Sequence, residues 1–141
     1  MIAALVIMPF CAGLMAFFLR RRRLRQALLL GTALSHTLLT CWCWLIRVPP
    51  RAGAWIGLDA AGMLFLSILS GLFLLAACYA IGYLRRERAA EHQDFEEGFV
   101  FANQPEAIFT GCLLLFLGTM SWVCISRHLG LLWVAVEATT L

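Results

Sequence analysis

The sequence predicts an all-α, polytopic transmembrane helix bundle with four complete spans, the start of a fifth and an N-terminus on the outside. Three observations carry that expectation: the composition, the lengths of the apolar runs, and the placement of charge between them. Of 141 residues, 62% are hydrophobic and 13% charged, whereas a typical globular chain carries about 25% charge. That much apolar surface has to face lipid or other helices, and no stretch is polar enough to fold as a soluble domain. Residues 1–141 therefore read as a single membrane domain.

A helix crosses the roughly 30 Å hydrocarbon layer with about 20 apolar residues. The first run, residues 2–19, ends at the cluster Arg20, Arg21, Arg22, Arg23 and Arg25. Its positive charges follow the apolar stretch instead of preceding it, so it reads as a retained helix and not as a cleavable signal peptide. The second span covers residues 27–46 and stops before Arg47, Pro49 and Pro50. Gly53 adds to the helix-breaking character of this connection, and Trp55 suits an interfacial anchor. The third and fourth spans cover residues 60–84 and 107–126. Between them lies a longer loop in which Phe95, Phe99 and Phe101 alternate with acids. The fifth run begins at Leu129 and is still apolar at Leu141. It covers only about two thirds of the layer, so the sequence is expected to be the N-terminal part of a longer protein.

Orientation follows from arginine alone, because the chain contains no lysine. The first cluster together with Arg85, Arg86 and Arg88 occupies one side; Arg47, Arg51 and Arg127 occupy the other. Basic residues of short loops stay cytoplasmic, which puts the first and third loops inside. The basic cluster flanks a membrane span, with no polar domain around it to suggest a nucleic-acid partner. On the third helix, Ser67, Ser70, Gly71, Ala77 and Cys78 are read as one small-residue face for close helix packing, and Gly111 and Gly118 as another on the fourth. The six cysteines all fall in apolar runs and behave as small hydrophobes. Cys41 and Cys43 point to different helix faces, so no metal site is expected from them.

Three ionisable groups remain in or near the hydrocarbon layer. Glu137 stands eight residues, roughly 12 Å, inside the fifth helix. A charge at that depth costs at least about 2.5 to 3.5 kcal/mol, so the carboxyl either takes up a proton or pairs with a cation, and both suit it to holding and releasing a proton. Trp133 and Thr140 share its helical face, whereas Arg127 and His128 read as interfacial anchors. His36 lies near the middle of the second helix among Thr32, Ser35, Thr37 and Thr40. It reads either as a proton relay or as a neutral residue that hydrogen-bonds between helices. Asp59 stands where it would cap the third helix or complement the positive end of its dipole.

Residues 127–141, Arg-His-Leu-Gly-Leu-Leu-Trp-Val-Ala-Val-Glu-Ala-Thr-Thr-Leu, resemble a segment of the antiporter-like membrane subunits of hydrogenase-4 and formate hydrogenlyase complexes. Those are relatives of the proton-pumping subunits of respiratory complex I and of Mrp antiporters. Supportive matches are Gly57-Leu58-Asp59, Tyr79 and Tyr83 with Gly82, and Phe109-Thr110-Gly111-Cys112. The resemblance covers roughly residues 55–141. It implies that Glu137 is the fifth-helix glutamate, which in this family pairs with a lysine on a later helix and modulates its proton affinity. It also implies a bacterial cytoplasmic membrane and, as partners, other membrane and peripheral subunits of a hydrogenase or complex I-like assembly.

The leading expectation is thus a non-redox, proton-translocating segment of an oxidoreductase complex, with Glu137 as coupling carboxylate. His36 is a further proton-coupling candidate, and Asp59, Trp133 and Thr140 are supporting residues. No cofactor is expected, since the cysteine spacings fit no iron–sulfur cluster and no glycine-rich phosphate loop is present. The competing expectations are a small structural or assembly subunit without transport of its own, and a haem- or quinone-binding membrane subunit.

Overall fold

The computed structural model describes residues 2–46, 55–87 and 106–140. Five helices follow in order: α1 (Ala4–Phe18), α2 (Arg22–Ile46), α3 (Ala60–Glu87), α4 (Glu106–Ile125) and α5 (Leu129–Thr140). Arg22–Ile46, Ala60–Leu84 and Glu106–Ile125 are long and apolar enough to cross a membrane, so the fold is that of a membrane protein. At 15 and 12 residues, α1 and α5 rise only about 22 and 18 Å. The expected roles of Arg47, Pro49, Pro50, Arg51, Gly53, Phe95, Phe99 and Phe101 concern positions outside the described residues.

One boundary differs from the sequence expectation. α2 begins at Arg22 instead of residue 27, because arginine is a good helix former and the chain reverses within residues 19–21. Leu19 leaves the helix with φ −75° and ψ 111°, and the Arg21 carbonyl accepts from the Leu24 and Arg25 amides. Part of the arginine cluster is therefore helical and bound to the bundle.

α1 packs most extensively on α4, antiparallel and through small residues. Without a hydrophobic drive between helices in lipid, association rests on close van der Waals contact, which small residues permit. Gly118 receives the Phe10 ring, Gly111 the Phe17 ring, and Gly13 the Leu115 side chain; a Cβ at these glycines would lie 2.9, 2.6 and 2.9 Å from those groups. The small face expected around Gly111 and Gly118 is present. On α3 the buried stripe is instead Leu66, Ser70, Phe73, Ala77, Ala80 and Leu84, in alternating steps of four and three. Gly71 and Cys78 follow Ser70 and Ala77 by one residue, hence by about 100°, and are exposed.

The interior divides into two apolar layers. Ala12, Ala16, Leu29, Ala33, Phe73, Ala77, Ala80, Leu114 and Leu117 form one, and Leu5, Cys43, Leu58, Leu66 and Ile125 form the other. Beyond the second layer, the α4–α5 turn pairs with the segment entering α3. Gly57 N–H donates to the Ile125 carbonyl and Arg127 N–H to the Trp55 carbonyl, each at 2.9 Å. The Trp55 and His128 rings stack with centroids 5.2 Å apart, so these two expected interfacial residues lie together at one end of the bundle.

Gly111→Val should lower stability by about 1 to 3 kcal/mol through overpacking against Phe17, measured by denaturant titration in mixed micelles. Gly31→Ala, at a helix position where an added Cβ meets nothing within 4 Å, should leave stability unchanged or raise it by up to about 1 kcal/mol.

Candidate functional site

Between the two apolar layers lies a polar layer to which α2, α3 and α4 each contribute a side chain. The imidazole of His36, 1% exposed, has Nδ1 2.9 Å from Ser70 Oγ of α3 and Nε2 2.9 Å from Ser121 Oγ of α4. Thr40 Oγ1, one turn along α2, lies 2.9 Å from Ser70 Oγ and donates to the His36 carbonyl at the same distance. Ser70 and Ser121 are also within donating distance of carbonyls in their own helices, Leu66 O at 2.8 Å and Leu117 O at 2.7 Å.

α1 supplies the fourth side through its backbone. Pro9 has no N–H, so the Leu5 carbonyl one turn earlier lacks its helical partner, and that carbonyl is a further hydrogen-bonding neighbour of the His36 ring. Leu5 and Pro9 are both fully buried. A histidine is tolerated here because each ring nitrogen has a partner; a buried polar group left unpaired costs about 1 to 3 kcal/mol.

The polar stripe read around His36 on α2 divides. Thr32, His36 and Thr40, at spacings of four, are buried, whereas Ser35 is exposed and donates to its own helix at Gly31 O. Thr37 is intermediate and donates to Ala33 O at 2.9 Å. Cys41 is exposed and Cys43 buried, on different faces as their spacing requires.

Glu137 lies elsewhere. α5 packs against α4 and, among the described residues, against no other helix. It turns Ala135 inward, while Glu137, Trp133 and Thr140 are exposed. The three expected on one face are together on the outward face, and Thr140 Oγ1 donates to the Glu137 carbonyl at 2.8 Å. α4 thus separates Glu137 from His36. Asp59 acts at the start of α3, where its Oδ1 accepts from Gly62 N–H at 2.6 Å, the geometry of an N-cap.

A second polar cluster escaped the sequence reading. Glu106, first residue of α4, sits between two arginines of α2: Arg25 Nη2 donates to Oε2 at 3.1 Å. Arg22 Nε lies 3.0 Å from Oε1 as an ion pair whose N–H is not aimed at the oxygen. The same arginines reach backbone, Arg25 Nη1 donating to Leu19 O at 2.9 Å and Arg22 Nη2 to Leu84 O at 2.7 Å. The ends of α1 and α3 and the starts of α2 and α4 are thereby joined by three side chains. Their side chains are 10 to 27% exposed, enough shielding for the ion pairs to exceed the fraction of a kcal/mol typical of exposed ones. The available signal was topological: in an up-and-down bundle the second and fourth helices start on the same face.

Ser121→Ala and Ser70→Ala should each lower stability by about 1 to 2 kcal/mol by leaving a ring nitrogen unpaired. Ser70→Ala should be the worse, since Ser70 also serves Thr40, and Ser35→Ala should be silent. Denaturant titration of the three variants in bicelles checks the order. Glu106→Gln should cost about 1 to 3 kcal/mol in the same assay, because two partly buried arginines lose their counter-charge. Comparison with protein-family models, with characterised proteins and with solved structures finds no match to this chain.

Proposed function

We propose that this chain belongs to a proton-translocating, antiporter-like membrane subunit of a hydrogenase or complex I-like assembly in a bacterial cytoplasmic membrane. In this reading Glu137 is the carboxylate that takes up and releases the proton, four helices are complete spans with α5 as a fifth, and the N-terminus is outside. The observation that carries it is the outward placement of Glu137 on α5, among Trp133, Val134 and Val136, all exposed. An apolar helix face bearing one carboxyl suits contact with a further membrane element that presents a cation or accepts a proton. The fifteen-residue resemblance around Glu137 supports the same assignment, and the resemblance alone supplies the hydrogenase context. Redox chemistry is then done by partner subunits, and this chain's part is to move protons.

The alternative, a structural membrane subunit, draws on the His36 layer and the Glu106 cluster as interhelical fasteners. Glu137→Gln separates the two readings. In the assembled complex the substitution should reduce proton translocation per turnover by at least about tenfold while leaving the complex intact. Proton translocation at the unsubstituted level in an intact complex sinks the proposal and favours the structural reading.

A further inference from the structure

We infer that His36 is a two-sided proton relay in the interior of the bundle, distinct from Glu137 and separated from it by α4. The reason lies in a count of protons. A neutral imidazole carries one N–H, and the three hydroxyls of Ser70, Ser121 and Thr40 carry one O–H each. These four protons serve six close contacts: His36 to each serine, Thr40 to Ser70, and the three hydroxyls to the carbonyls of Leu66, Leu117 and His36. Two arrangements pair both ring nitrogens.

In the first, Nε2–H donates to Ser121 Oγ, Ser121 donates to Leu117 O, and Nδ1 accepts from Ser70. In the second, Nδ1–H donates to Ser70 Oγ, Ser70 donates to Leu66 O, and Nε2 accepts from Ser121. The arrangements differ only in which serine gives up the carbonyl four residues back in its own helix. Those two bonds are alike in kind and length, 2.8 and 2.7 Å, so the serines alone do not fix one tautomer. Transfer through the ring requires that both tautomers be paired, and the two serines meet that requirement.

The transfer step balances without any other reactant. A proton added to the ring nitrogen that lacks one gives an imidazolium whose two N–H groups each donate to a serine oxygen. The serine that had donated to that nitrogen turns to its own helix carbonyl, so that Ser70 and Ser121 then donate to Leu66 O and Leu117 O. The Leu5 carbonyl freed by Pro9 is an additional acceptor. Release of the proton from the opposite nitrogen restores a neutral ring as the other tautomer. One proton enters and one leaves; the serine hydroxyls rotate and the ring ends as the other tautomer, which a ring flip or the reverse transfer resets before the next proton. The buried stripe Thr32–His36–Thr40 extends polar groups along about 12 Å of α2. Among the described residues, the hydrogen-bonding neighbours of the ring include no Asp, Glu or Arg. The titratable groups packed in the adjacent layer are the thiols of Cys43 on α2 and Cys124 on α4.

The inference deepens the proton-translocating reading and rests on it for its purpose, while its geometry is independent of Glu137. The test is nitrogen-15 NMR of the full chain in lipid nanodiscs with labelled histidine. His92→Gln and His128→Gln leave His36 as the only ring signal. Across about pH 5 to 8, the range of the imidazole switch, both tautomers or one exchange-averaged pair of ring resonances are expected. Ser121→Ala and, separately, Pro9→Ala should change the tautomer ratio about fivefold, the effect of one hydrogen bond; Pro9→Ala acts by giving the Leu5 carbonyl a helical N–H. A single fixed tautomer in the parent chain, or a ratio that neither substitution moves, overturns the relay. Because Glu137 is intact throughout, a failure here leaves the Glu137 reading standing, and the Glu137→Gln experiment leaves this one.

Discussion

A buried imidazole must pair two nitrogens, and the arrangement of the first four helices depends on that requirement. Neither nitrogen of His36 finds its partner on α2; Ser70 comes from α3 and Ser121 from α4. Meeting both fixes the rotation and the height of three helices at once, to within the tolerance of a hydrogen bond. Apolar packing is as exacting only where the approach is close, as at Gly13, Gly111 and Gly118. In a membrane the distinction matters more, because lipid satisfies apolar surface as well as another helix does.

The layers above and below follow from the same register. On α3, Leu66 lies in one apolar layer and Phe73 in the other, with Ser70 between; on α4 the sequence is Ile125, Ser121, Leu117, and on α2 Cys43, His36, Ala33. α1 conforms with Leu5, Pro9 and Ala12, offering at the polar level a carbonyl in place of a side chain. Proline does this by what it lacks: removal of one N–H frees an acceptor four residues earlier without placing a polar side chain in lipid. The Glu106 cluster holds the bundle at a distance of about 16 to 22 Å along the helix axes, where the two arginines and the carboxylate offset one another's charge. A neutral polar fastening inside is thus joined by an ionic one at the end.

Much of this was legible in the sequence. Helix number and rough limits came from run length, and the cap at Asp59, the close approach at Gly111 and Gly118, and the shared face of Trp133, Glu137 and Thr140 all came from spacing. What escaped were relations between helices. His36 was visible as polar in an apolar run, but Ser70 and Ser121 were indistinguishable from other small residues, because periodicity gives a face without saying which helix it meets. The reading of Gly71 and Cys78 as inward failed for that reason: small size permits contact but does not set helix rotation, which Ser70 does. Glu106 looks in the sequence like one more loop acid, since pairing with Arg22 and Arg25 spans about 80 residues of chain and becomes local only when α2 and α4 start side by side.

The two polar centres differ in what they still require. His36 has its ring nitrogens paired within the bundle, each such interhelical bond contributing about 0.6 to 1.7 kcal/mol in a membrane. Glu137, under the proposed placement of α5 in the hydrocarbon layer, carries an exposed carboxyl whose charged form costs about 2.5 to 3.5 kcal/mol there. The greater of these two energies is the one the bundle leaves unopposed, and it is on the side of α5 turned away from α4. Glu137 stays on the exposed face of α5, the helix that packs on α4, while the His36 layer keeps the four helices behind it in register.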